Sequence, residues 1–380
     1  MKRRLFFFLK CIGIGSLATG ILLTGTHFYM QYRFVDMPGK TYDGTSQTDQ
    51  TTIATAGRLR SHVEVLANDI GGRSIYNITE LDKTRNWVVA EFRKLDLEPK
   101  VQTYRIEPDF VREAIRSRNK IINYEGKTDI LPIYGNNQPT KEVANIWVEI
   151  KGRTSPNMLI VVGAHYDTIT SDCPGADDNS TGIAGLFEIA RYLKENPPQY
   201  SVILVALTCE EHPVGGTDKM GSAVFATWLL TNDTRRPVGM IALDMLGFFS
   251  NDQGSQQFPL PFSMYYPETA NFIGFVGDLS SRNFIRSIVA RFRQIPATIP
   301  SQGVAAPIWL VPDVLHSDHE YFVLNHIPGL MVTDTANFRN KDHHHKPTDT
   351  PEKLDFIKFA RLVEGISLVI QEFEDYPSPK

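Results

Sequence analysis

With 380 residues and 42% hydrophobic composition, the chain is long enough to bury one large core or two smaller ones. Its formal charge is -4, and beyond the four cations of the first ten residues (Lys2, Arg3, Arg4, Lys10) it stands at -8. That balance argues against a nucleic-acid partner, which needs a basic face. Three cysteines, Cys11, Cys173 and Cys209, are too few for a disulfide framework; Cys173 and Cys209 are open to a bridge or to two unpaired thiols.

Residues 1–4 are basic, and residues 11–32 carry no charge apart from one on His27. About twenty residues, rising roughly 1.5 Å each, cross a hydrocarbon core of about 30 Å. The cations before this run and the single Arg33 after it predict a membrane anchor with its N-terminus inside and the remainder on the extracytoplasmic side, whether periplasmic, extracellular or lumenal. The alternative is a cleaved signal peptide and a secreted domain, although no A-x-A site follows the run. The chain thus divides into a basic tip and anchor or signal segment (1–35), a Gly-, Thr-, Ser- and Asp-rich tether (36–55) and one folded domain (56–376).

Within that domain, amphipathic helices are expected near 56–68 and 80–94, and strands at Lys100–Ile106, 120–124 and 144–151. The β-branched run 159–162 is a buried strand that stops at Gly163 and releases His165, Tyr166 and Asp167. A turn holding Asp177 and Asp178 then opens a helix with Ile183, Phe187, Ala190 and Lys194 at helical spacing, which Pro197 and Pro198 end. A second buried strand, 201–207, ends in Glu210-Glu211, and a helix follows near 222–230. The third, 238–243, ends in Asp244. Residues 248–275 are irregular and aromatic, and 295–312 is a Pro-rich loop; between them lies a helix with Phe284, Ile288 and Phe292. Such loops either wall a pocket, which would favour an apolar substrate residue, or pack on each other. Residues 318–325 look helical, and 329–332 form a fourth buried strand that leads to the loop KDHHHKPTDT. Thr350-Pro351 opens a closing helix with Phe356, Phe359, Ala360, Val363 and Ile370 on one face. Strands alternating with helices predict an α/β fold with a mixed, mostly parallel central sheet covered on both faces.

The carboxyl ends of those strands collect His165, Asp167, Asp178, Glu210, Glu211, Asp244 and one of His343, His344 and His345. Open α/β sheets place ligands at that edge. Nitrogen and oxygen donors without thiolate suit a catalytic zinc site. Two divalent ions set against Asp178, Glu211 and Asp244 leave one positive charge, which a hydroxide would close. Without cations the three buried carboxylates would repel one another. His165 and Asp167, two apart in extended backbone, share a face, so Asp167 is placed to accept the imidazole N–H. Adjacent Glu210 and Glu211 point apart, one toward metal and the other toward water. Singly, each feature has a bland explanation: a solvated acidic pair, an exposed His tract, an N-cap. Four successive strands ending this way do not.

The motifs GAHYDT, PGADDNSTGIA, the Glu210-Glu211 pair, ALDMLG, SDHEYF and HKPTDTPEKLDF resemble the co-catalytic zinc aminopeptidases of metallopeptidase family 28, over about residues 56–373. Relatives of that family include bacterial leucyl aminopeptidases, glutamate carboxypeptidases, glutaminyl cyclases and the transferrin-receptor ectodomain. The resemblance implies two Zn²⁺ held by His165, Asp178 (bridging), Glu211, Asp244 and His345, with His344 as the alternative last ligand. It also implies Glu210 as general base, Asp167 as the partner that orients the ligand His165, a cis peptide after Asp178, and a peptide substrate. A single-zinc glutaminyl-cyclase-like acyltransferase and a non-catalytic ectodomain are the competing functions. The cyclase branch places a Trp before the last ligand where this chain has His344, and non-catalytic relatives usually lose ligands that this chain retains.

Overall fold

The computed structural model describes residues 24–42, 48–110, 113–114, 140–296 and 298–374. Helix α1 (Gln50–Glu64) begins six residues earlier than expected, because the Asp49 carboxylate caps it by accepting the Thr52 N–H at 2.8 Å. Helix α2 (Ile78–Lys94) and strand β1 (Lys100–Ile106) follow at their expected positions. Strand β2 (Lys141–Ile150) comes next; the strand expected at 120–124 lies outside the described residues. Then come β3 (Ser155–His165), α3 (Gly182–Glu195), β4 (Tyr200–Leu207), α4 (Gly221–Asn232) and β5 (Pro237–Leu243). The remaining elements are β6 (Ile273–Asp278), α5 (Arg282–Phe292), β7 (Ser301–Ala306), α6 (Glu320–Leu324), β8 (Gly329–Thr333) and α7 (Phe356–Gln371).

The eight strands form one mixed sheet in the order β1-β2-β4-β3-β5-β8-β6-β7. The central strands β4, β3, β5 and β8 run parallel to one another, while β2 pairs antiparallel with β4 and β6 antiparallel with β8. Strand β3 shows why the centre reads as an unbroken apolar run. Ile160 and Val162 enter the core shared with α1, α2, α3, α5 and α7, whereas Leu159 and Val161 face the core beneath α4 and α6. Both faces are dry, so the strand carries no polar alternation.

Two expectations give way. Residues 301–306, expected as loop, form β7, and the irregular aromatic stretch yields β6 from Ile273 onward. The sequence SQGVAA has a single β-branched residue; it is a strand because it pairs parallel with β6 along its whole length. Aromatic residues before β6 pack on each other: Phe258 lies 5.3 Å from Tyr266 and 6.5 Å from Phe272, ring to ring. The apolar substrate preference loses that support. The tether, too, is attached in part: Arg293 donates to the carbonyls of Met37, Pro38 and Gly39. Among the described residues no helix is long and apolar enough to cross a membrane, and residues 1–23 lie outside them.

Candidate metal centre

The parallel strands β3, β4, β5 and β8 deliver their carboxyl ends to one edge of the sheet, where the polar residues gather. His165 is the last residue of β3 and is fully buried. Its Nδ1 lies 3.1 Å from the backbone carbonyl of Asp167, which accepts that proton and turns Nε2 toward the site. From Nε2 it is 3.4 Å to Asp178 Oδ1 and 3.6 Å to Asp244 Oδ1. On the other side of Asp178, Oδ2 lies 3.1 Å from His345 Nε2, which in turn lies 3.2 Å from Glu211 Oε2. Asp178 therefore faces two donor groups, one with each carboxylate oxygen.

Asp167 works differently from expectation. Its carboxylate stands 3.7 Å from His165 Nδ1, beyond hydrogen-bond reach, and instead accepts the backbone N–H groups of Glu210 and Glu211 at 3.1 Å each. It joins the end of β3 to the turn after β4, fixing the backbone from which the two glutamates diverge. Glu210 then points toward His165 Nε2, at 3.9 Å, and Glu211 toward His345.

The turn carrying Asp178 is held from several directions. The Asp178–Asn179 peptide is cis. Asp349 accepts the Asp177 N–H at 2.9 Å and the Asp178 N–H at 3.1 Å. Asn179 donates to the Leu243 carbonyl at 2.8 Å, tying the turn to β5. Beneath it, the fully buried Arg73 donates to the carbonyls of Leu66, Tyr166, Pro174 and Gly175. Burial lowers its pKa to about 10, which still leaves it charged. Nothing in the motif pattern pointed to Arg73; a lone arginine after a Gly-Gly turn looks like a surface residue.

Asp318 and His319 also belong to this region. Both are buried; neither Asp318 oxygen has a hydrogen-bond partner, and the carboxyl is raised to about 7 by burial and by the charges of Asp244 and Asp167. The SDHEYF motif was the available signal for them, and spacing alone gave them no role. His344 stacks on His345 at 3.7 Å between ring centres and reaches Asp178 Oδ2 at 3.2 Å, but its Nδ1 is engaged by Asn337 Oδ1 at 2.7 Å. His343 turns away to Thr348. Cys173 and Cys209 are separate buried thiols, so no bridge forms.

The electrostatics explain what such a site requires. Burial disfavours charge on His165, but Glu210, Asp167, Asp178 and Asp244 outweigh it and hold the imidazole well above its ordinary pKa. His345 behaves alike: burial opposes the charge, and Glu211 with Asp178 raises it to about 12. Burial pushes the Glu210 carboxyl well up, helped by Glu211, Asp244 and Asp318. Carboxylates this crowded demand positive charge. The donors fit zinc: His165, Asp178 and Asp244 form one group, and Asp178, His344 and His345 another, with ligand atoms within 4.8 Å in each. Glu211 Oε1, buried with no hydrogen-bond partner, adds to the fit.

A protein of Escherichia coli K12, the uncharacterized YfbL, is 40% identical over 221 residues, covering 55% of this chain and 65% of its own. A probable zinc metalloprotease of Leptosphaeria maculans is 30% identical over 228 residues, covering 55% of this chain and 50% of its own. The chain thus spans half to about two thirds of these relatives' length. In fold it is similar to BSAP, a zinc aminopeptidase from Bacillus subtilis, with a TM-score of 0.59 and 16% identity over 84% of this chain and 95% of that one. It is similarly close to Fimbriiglobus ruber glutaminyl cyclase, with a TM-score of 0.57 and 17% identity over 88% of this chain and 99% of that one. The sequence model of peptidase family M28 matches residues 145–370, which span every strand end described above, and on that match the chain belongs to peptidase family M28.

Proposed function

We propose that this protein is a zinc-dependent aminopeptidase that hydrolyses N-terminal residues from peptides. The observation that carries the proposal is the placement of Asp178, with Oδ1 toward His165 and Oδ2 toward His345. His165, Asp178 and Asp244 would hold one ion; Asp178, Glu211 and His345 would hold a second. Bound there, zinc would polarise the scissile carbonyl and acidify water. Glu210, which points at the same space without completing either donor group, takes the proton from the attacking water and returns it to the leaving amine. Asp167 keeps Glu210 and Glu211 on diverging paths.

The uncharged run 11–32 behind four cations supports a membrane anchor, with the catalytic domain on the extracytoplasmic side. The glutaminyl-cyclase likeness in fold favours a second function, intramolecular attack by the substrate's own amine. One assay separates the two. Chelator-treated protein is refilled with zinc and given aminoacyl amides and an N-terminal glutamine peptide. We expect zinc-dependent release of free amino acid; pyroglutamate formation without such release would overturn the hydrolase.

A further inference from the structure

A cavity of about 530 Å³ opens between α1 and the start of α7. Its lining joins Gly57 and Arg60 from α1, Phe249 from the stretch after β5, and residues 353–357. It adjoins the metal centre: a Cβ at Gly247 would lie 3.0 Å from Leu354 in the cavity wall and 3.3 Å from Asp177 Oδ1, one residue from Asp178. Beside it, the ring of Phe248 lies 6.0 Å from that of His343, in the loop that carries His345.

The lining pairs cations with apolar side chains. The Arg60 guanidinium stands 4.3 Å from the centre of the Phe356 ring, and Lys353 forms no ion pair among the described residues. Asp355, the one acid in the lining, is engaged: its carboxylate accepts the Lys358 N–H at 3.0 Å and lies 3.6 Å from Lys358 Nζ. Glu64, 3.7 Å from Arg60, and the exposed Glu352 stand outside the lining. Gly57 keeps the cavity open. A glycine inside a helix costs stability, and no close contact demands one here, since a Cβ would meet no atom within 4 Å.

We propose that this cavity receives the C-terminal carboxylate of a short peptide whose N-terminus lies at the metal centre. The inference rests on the aminopeptidase reading above and adds to it a preference for short peptides with a free carboxyl end. Three observations favour that occupant. The cavity wall lies one residue from Asp178, so a peptide of a few residues, rising about 3.3–3.6 Å each, spans the two. Arg60 and Lys353 offer N–H donors and positive charge, which match a carboxylate better than an uncharged amide. Phe249, Leu354 and Phe356 give the last side chain apolar surface, and the volume suits a ligand of that size.

Leucyl-oligoalanines of about two to five residues, as free acids and as C-terminal amides, are compared on zinc-loaded protein, with leucine p-nitroanilide as a substrate too short to reach the cavity. We expect kcat/KM for the free acid to exceed that for the amide roughly tenfold at one favoured length, carried by KM, as one charged hydrogen bond is worth. Lys353→Gln removes a charge and Gly57→Leu fills the cavity; each should erase that ratio and leave nitroanilide turnover unchanged. Turnover of the nitroanilide shows that each variant is folded, and Arg60→Gln replaces either one that is not. Equal rates for acids and amides at every length would overturn the inference, and so would a ratio that survives the substitutions. Hydrolysis of none of these substrates would overturn the aminopeptidase reading and this inference with it.

Discussion

The two sides of Asp178 are built from different material. His165 and Asp244 stand at the ends of β3 and β5, strands paired within the sheet on both edges, and the His165 side chain is 1% exposed. On the other side, Glu211 sits on a turn and His345 on an irregular loop, at φ 59° and 34% exposed. The first side is held by backbone pairing that no single side chain supplies. The second depends on side-chain ties, chiefly Asp349 on the Asp177–Asp178 backbone and Asn340 on Asp177. A ligand fixed by a sheet keeps its place when neighbours change; one fixed by a loop does not.

Asp178→Asn strikes both sides at once and should give the largest effect. Activity should fall by more than the roughly 10²–10⁴-fold worth of one positioned general base, with loss of metal from both groups, measured by metal analysis and turnover. Next come the two histidines beside it. His345→Ala should empty the looser side, while His344→Ala should retain most metal, because His345 alone of the two lies against Glu211 as well as Asp178; the reverse order would make His344 the ligand. The smallest effect lies away from the site, at Glu188. Burial raises its pKa, but hydrogen bonds from Arg58 and Arg191 prevail and hold it below the ordinary glutamate value. Its contribution is therefore present above the unfolded carboxylate pKa and lost as pH falls through the folded one. Glu188→Gln should cost about 1–2 kcal/mol at neutral pH, discounted for the half-open arginines, and the gap in Tm should close below about pH 4.

The same division explains what could be read from the residues alone. Central strands announce themselves because burial on both faces leaves only apolar, β-branched runs, so β3, β4, β5 and β8 and the polar residues at their ends were legible. Strand β7 was not, since SQGVAA owes its conformation to pairing with β6. The donors followed from strand ends and motif; their supports did not. Arg73 acts on carbonyls from three separate stretches, which only the fold brings together. Asp167 was found, but its main partners, the amides of Glu210 and Glu211, lie on the next strand's turn, and spacing within one strand pointed to the imidazole instead.

The neighbouring glutamates give the most direct test, because the same change should fail in two ways. Glu210→Gln removes a proton acceptor and no metal donor; Glu211→Gln replaces an anionic donor with a neutral one. Zinc content and turnover of both variants should be measured after identical refilling. We predict that Glu210→Gln keeps about two ions per chain with turnover down roughly 10²–10⁴-fold, and that Glu211→Gln loses an ion. Equal zinc loss in the two variants, or full activity in Glu210→Gln, would contradict the division of roles on which the hydrolytic mechanism stands.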